Sequence, residues 1–136
     1  MSDIKIYFLI QPEKIIIDSH PQFFSSRLGE RIGESFHLSV IPVQHHHAHI
    51  ASVMAEHNLR GLVLGIAMDG TGYGPDGTIW GGEFLLCKGN QYQRLAHIHA
   101  APLPGGEKAV SEPWRQAYGI FVIIMAMISL LYIKNG

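Results

Sequence analysis

Apolar and polar positions fall into blocks along this chain, and each block has its own period. Residues 4–10 (IKIYFLI) and 15–17 (III) are short apolar runs split by Gln11-Pro12, the pattern of two brief buried strands. From Phe23 to Phe36 apolar residues recur at loose helical spacing, with Gly29 and Gly33 as weak points for a helix. Ser39 to Val43 reads as a strand that Pro42 places at an end or an edge. A helix is predicted over His46 to His57, with Ile50, Val53 and Met54 on its buried face. The run LVLGIAM, Leu62 to Met68, has strand length and would be buried on both sides in a central sheet. A glycine-rich turn, Asp69 to Gly77, leads to two further strands at Ile79 to Leu86 and Tyr92 to His99. Gly89-Asn90 joins those two as a hairpin. After a loop at Ala101 to Gly106, Ser111-Glu112-Pro113 opens a helix, with Ser111 as its cap and Pro113 in its first turn. The order predicts a mixed α/β fold in which a helix feeds a meander of three strands.

The C-terminal block departs from these periods. Ile120 to Ile133 is apolar on every side except at Ser129, which predicts a fully buried helix or a misplaced end. It falls short of the roughly 20 apolar residues that a membrane span requires, so no membrane association is expected. The N-terminal residues MSDIKIYFLIQPEK lack the basic region, long apolar core and small-residue cleavage site of a signal peptide. The 136 residues are 47% hydrophobic and 15% charged, the composition of about one globular domain. A net charge of −1 with no basic run gives nucleic-acid binding no electrostatic support. The lone Cys87 excludes an internal disulfide framework, fits a cytoplasmic setting, and reads as core because only Lys88 beside it is basic.

The chemistry concentrates in VQHHHAH, residues 43–49. His45 and His49 are four apart and share one helix face, so two neutral imidazoles can chelate one divalent cation. His46 and His49, three apart, form the competing pair. A carboxylate is the usual third ligand, and Asp69, at the end of the LVLGIAM strand, stands where open α/β sheets bind ligands. Asp76 reads as an Asp-Gly turn residue. In DGTGYGPDG the glycines 70, 72 and 74 allow close backbone approach to an anion, although the P-loop signature is absent. His97 and His99 share a strand face as a packed or exposed pair without a carboxylate. Gly81-Gly82 inside a strand marks a bulge or a close approach. No Ser-His-Asp pattern is present.

Taken together, VQHHHAHIASVMAEH (43–57), AMDGTGYGPDGTIWGGEF (67–84), PLPGGE (102–107) and EPWR (112–115) resemble the HypF carbamoyltransferases of [NiFe]-hydrogenase maturation. IIIDSHPQFFSSR (15–27) resembles the stretch preceding the family's histidines, and the likeness covers about residues 13–118. It implies a partial actin-like (ASKHA) lobe related to TsaD, a mixed sheet with flanking helices, over residues 1–118, followed by a divergent apolar tail at 119–136. Matching motif positions assign the metal, zinc or iron, to His45, His49 and Asp69. They assign phosphate or nucleotide contacts to Gly70, Thr71 and Gly72, and to Gly105 and Gly106. The family uses carbamoyl phosphate and ATP to carbamoylate the C-terminal cysteine of HypE, and HypE is therefore the implied partner. Nothing in the chain corresponds to the family's acylphosphatase, zinc-finger or YrdC-like domains. The expectation is a fragment with half a cleft, reading as truncated after Lys134-Asn135-Gly136, inactive alone and prone to self-association through uncovered apolar faces.

Overall fold

Short apolar runs pair early in the chain, and glycine lets a helix close over them. The computed structural model describes residues 11–106 and 108–134; the strand expected over 4–10 lies outside the described residues. β1 (Lys14–Asp18) and β2 (Ser39–Val43) pair in parallel, with Asp18 opposite Val43. The crossover between them is α1 (Phe24–Phe36). Gly29 and Gly33, weak points by propensity, face this pair of strands: a Cβ at Gly29 would run into Ile17, and one at Gly33 into Val40. Their absent side chains let the helix pack, which outweighs their cost of about 1 kcal/mol each in helix propensity.

α2 (His45–Glu56) starts one residue earlier than predicted, because the Gln44 side chain caps it by accepting from His47 N–H at 2.9 Å. Ile50 and Met54 are buried as expected, but Val53 is exposed. β3 (Val63–Ala67), β6 (Glu83–Lys88) and β7 (Gln91–His97) form the antiparallel meander, in the order β3-β6-β7. β4 (Gly72–Tyr73) and β5 (Ile79–Trp80) form a small hairpin inserted ahead of β6. The single strand expected over 79–86 is therefore two. They are divided at Gly81-Gly82, where Gly82 adopts φ +71°, a conformation open chiefly to glycine. Ile50, Met54, Ala67, Trp80, Leu85 and Cys87 make the core between α2 and one face of the meander. At Gly65 the Ile50 side chain fills the place a Cβ would take.

The both-sides burial expected for 62–68 does not occur. Among the described residues β3 is an edge strand whose residues alternate, so Gly65 and Ala67 face α2 while Leu64 and Ile66 are more than half exposed, as are the flanking Leu62 and Met68. A one-layer covering leaves the other face bare, whatever its apolarity.

The chain divides between Ile98 and His99 into two compact units. The second holds α3 (Lys108–Ser111) and α4 (Pro113–Lys134). Ser111 ends α3 with its hydroxyl donating to the Lys108 carbonyl, so it is not the cap expected; Pro113 begins α4 directly. The tail is helical as its composition dictates, yet Ile120, Phe121, Ile124, Met125 and Ile128 are exposed, which overturns the fully buried reading. Among the described residues no helix is long and apolar enough to cross a membrane.

Candidate metal centre

Three elements meet at one place and together deliver four polar side chains. The parallel register that sets Asp18 opposite Val43 also brings Asp18 beside the start of α2, two residues further on. His45 and His49 lie one helical turn apart at that start, and Asp69 follows directly on β3 with one intervening residue. The Nε2 atoms of His45 and His49 are 3.2 Å apart. Asp69 Oδ2 lies 2.7 Å from His45 Nε2 and 3.5 Å from His49 Nε2. The structure thus gathers His45, His49 and Asp69, with their ligand atoms within 4.8 Å of one another.

His45 has a second partner that sequence reasoning missed. Its Nδ1–H donates to Asp18 Oδ2 at 2.8 Å, leaving Nε2 to face His49 and Asp69. Asp18 is itself fixed, since its Oδ1 accepts from His20 N–H at 2.7 Å and its carbonyl from the Ser26 hydroxyl at 2.9 Å. A carboxylate behind a histidine sets the ring's tautomer and orientation, the usual outer shell of a metal-binding imidazole. The only local signal was an aspartate closing an apolar strand run.

The electrostatics follow from this crowding. The hydrogen bond to Asp18 raises His45 above its ordinary value of 6.5, partial burial opposes this, and Asp69 adds to the rise. Burial pushes Asp69 upward, but the hydrogen bonds from His45 and from Gly70 N–H win and leave it below its ordinary value. His46 turns inward and is fully buried. Its Nδ1 lies 3.1 Å from the Gln44 side-chain amide, and burial lowers its pKa. Its Nε2 has no hydrogen-bond partner among the described residues. The competing pair His46 and His49 is thereby separated. Asp76 stands outside the cluster as a turn residue, held at about 2 by the Thr78 hydroxyl, with the Thr78 amide and Trp80 assisting.

The residues expected to contact phosphate or nucleotide are placed less uniformly. Gly70 N–H is already engaged by Asp69 Oδ1 at 2.8 Å, while the space above its Cα is open. Thr71 is exposed. Gly72 is buried against the histidines: a Cβ there would stand 2.6 Å from His46 Cε1. Gly105 and Gly106 form a turn in the second unit, with φ +86° and +58°. His97 is exposed, its Nδ1–H donating to the Ile98 carbonyl.

Fold and site together define a partial ASKHA-type lobe carrying a histidine–carboxylate cluster at the end of its strands. Residues 1–56 match the family described as HypF Kae1-like domain, and residues 65–133 match the carbamoyltransferase Kae1-like domain, second subdomain. The chain belongs to the HypF carbamoyltransferase family. A carbamoyltransferase HypF homolog of Cupriavidus necator is 48% identical over 107 residues, covering 79% of this chain and 27% of that protein. The carbamoyltransferase HypF of Synechocystis is 48% identical over 110 residues, covering 80% of this chain and 14% of that protein. Full-length HypF in its phosphate- and nucleotide-bound form superposes with a TM-score of 0.76 at 47% identity, over 87% of this chain and 18% of that one. The T. kodakarensis HypF crystal structure gives 0.72 at 48% identity, over 79% and 14%. The chain thus spans between about an eighth and a quarter of the length of its curated relatives.

Proposed function

We propose that this chain supplies the metal-binding half of a carbamoyl-transfer site, with His45, His49 and Asp69 as ligands to one zinc or iron ion. The observation that carries the reading is the convergence of three ligand atoms with Asp18 fixing the first histidine from behind. The donor set fits such an ion. Bonds of about 2.0–2.1 Å in a tetrahedral site separate neighbouring ligands by roughly 3.3 Å, and the 3.2 and 3.5 Å separations are already close to that. The 2.7 Å contact between His45 and Asp69 would open slightly. Three protein ligands leave a coordination position for substrate, and the ion, when bound, supplies Lewis acidity toward anionic oxygens.

The chain's own residues do the remaining work. Asp18 keeps the His45 proton on Nδ1, and Asp69 balances cationic charge. The open Gly70-Thr71 segment, with Gly72, and the turn at Gly105 and Gly106 are the surfaces for phosphate or nucleotide. In the longer protein the substrates would be carbamoyl phosphate and ATP, and the acceptor the C-terminal cysteine thiolate of HypE in the cytoplasm. The chain alone would bind metal without turnover. The exposed apolar stripe from Leu62 to Met68 supports self-association of the isolated chain. The reading is tested in a longer HypF carrying this segment: His45→Ala should abolish ATP- and carbamoyl phosphate-dependent labelling of HypE, and undiminished labelling would refute it.

Two further results are expected. Replacing Asp18 with alanine should weaken zinc binding by roughly 10–100-fold while leaving the ligands in place. Competition with a chromophoric chelator reads this directly, and an unchanged affinity would remove Asp18 from the site. The second result concerns pH. Metal loading requires His45 Nε2 to be free of its proton, and its pKa in the metal-free fold is raised above 6.5. Affinity should therefore climb as pH rises past 6.5 and level off above the raised value. Stability of the metal-free chain runs the opposite way. The protonated His45 contributes fully below its unfolded value of about 6.5, and that contribution is lost as pH rises through the folded value. Paired titrations with and without zinc should show opposite slopes; parallel slopes would contradict the assignment.

A further inference from the structure

Behind the Asp69 loop stands a charge pair that does not touch the cluster. Glu83 opens β6 with a side chain that is 0% exposed, on the same face as Leu85 and Cys87. Arg94 of β7 grips it with two prongs, Nε donating to Oε2 at 2.6 Å and Nη2 to Oε1 at 2.8 Å. A bulge between Phe84 and Leu85 in the β6–β7 ladder sets Arg94 opposite Leu85, on the face where Glu83 lies. The guanidinium lies over the Trp80 ring at 4.0 Å, and Trp80 Nε1–H donates to Asp76 at 3.0 Å.

A buried ion pair is a weak device for stability, since apolar residues of similar volume often serve as well or better. It does supply a fixed direction, and here the direction leads to Asp69. Glu83 Oε1 accepts from Gly81 N–H at 3.0 Å, and the next residue, Gly82, donates its N–H to the Asp69 carbonyl at 3.1 Å. No side chain fits between the two segments: a Cβ at Gly81 would stand 2.6 Å from the Gly70 carbonyl oxygen and 3.2 Å from that of Asp69. On its other side Gly82 accepts from Ile98 N–H at 2.9 Å. The Gly81-Gly82 segment is thus clasped between the ion pair and the loop that bears the carboxylate.

We propose that Glu83 and Arg94 are positioning residues for Asp69: through Gly81-Gly82 they hold its backbone so that its carboxylate stays on His45 and His49. This rests on the metal reading above for its consequence, though not for its geometry. The test uses the whole 136-residue chain with Glu83→Met/Arg94→Met, which replaces the pair by apolar volume. In the metal-free chain, loss of the Gly82 hydrogen bond should speed exchange of the Gly82 amide by roughly tenfold. Zinc affinity should fall by roughly 10–100-fold, and the visible bands of the cobalt-substituted chain should shift toward those of Asp69→Ala. Arg94→Lys keeps the charge and loses the two-pronged grip; it carries the same test if the double variant does not fold. Unchanged Gly82 exchange overturns the proposal, as does faster exchange with wild-type zinc affinity and cobalt spectrum. A wild-type chain that takes no metal would sink the metal reading, while faster Gly82 exchange in the variant would still support the hold on Asp69.

Discussion

A chain carrying His45→Ala and His49→Ala should take up no zinc or iron under conditions expected to load the wild type with one ion per chain. Apparent binding energies of about 10–16 kcal/mol for four-ligand structural zinc sites correspond to roughly 3 kcal/mol per ligand. Removing two of three ligands therefore lowers affinity by roughly four orders of magnitude. The fold should survive the change. His49 is 59% and His45 28% exposed at the side chain, and alanine is the best helix former for the positions they occupy on α2. The lost contacts, from His45 to Asp18 and Asp69 and from His49 to Asp69, are partly exposed ion pairs of small net worth. Metal content after exhaustive dialysis, with circular dichroism on the same samples, decides the matter. Stoichiometric metal in the double variant would mean that the ion is held elsewhere.

Arg94→Ala should be strongly destabilising. It strips both prongs from Glu83, whose carboxylate is then buried with only Gly81 N–H as partner. Breaking a buried pair in this way costs about 3–5 kcal/mol, and the partial exposure of Arg94 places the value toward the lower end. In a domain of this size that lowers Tm by roughly 10 °C. Glu83→Met/Arg94→Met removes the same pair yet should stay within about 1 kcal/mol of wild type, because no charge is left stranded. Equal losses in the two variants would show that packing against Trp80, not the charge, is what matters at this position.

The parts of the site that were legible in the sequence are those set by local spacing. A spacing of four from His45 to His49 places them on one face of any helix, and an aspartate directly after an apolar strand lies at the strand's end in any sheet. The β6–β7 hairpin, announced by Gly89-Asn90, belongs to the same class, with Gly89 at φ +58°. Gly29 and Gly33 show the limit of this reasoning. Propensity marks them as weaknesses in α1, while the contact with Ile17 and Val40 makes them its packing face.

The exposure of β3 was not legible, because an apolar run of strand length reads alike whether one face or both are covered. Only the sheet order β3-β6-β7, with α2 on one side, decided that Leu64 and Ile66 would be bare. Asp18 is 27 residues from His45, and Arg94 is 11 from Glu83 across a bulged ladder. Neither pairing follows from any period, because strand register is a property of two segments and each segment carries only its own pattern. The sequence by itself determined the candidate ligand positions, the family and the alternation of elements, since these depend on residue type and short spacing. Tertiary structure alone decided which groups stand behind the histidine–carboxylate cluster, because parallel register and β-bulge geometry exist only once the strands have met.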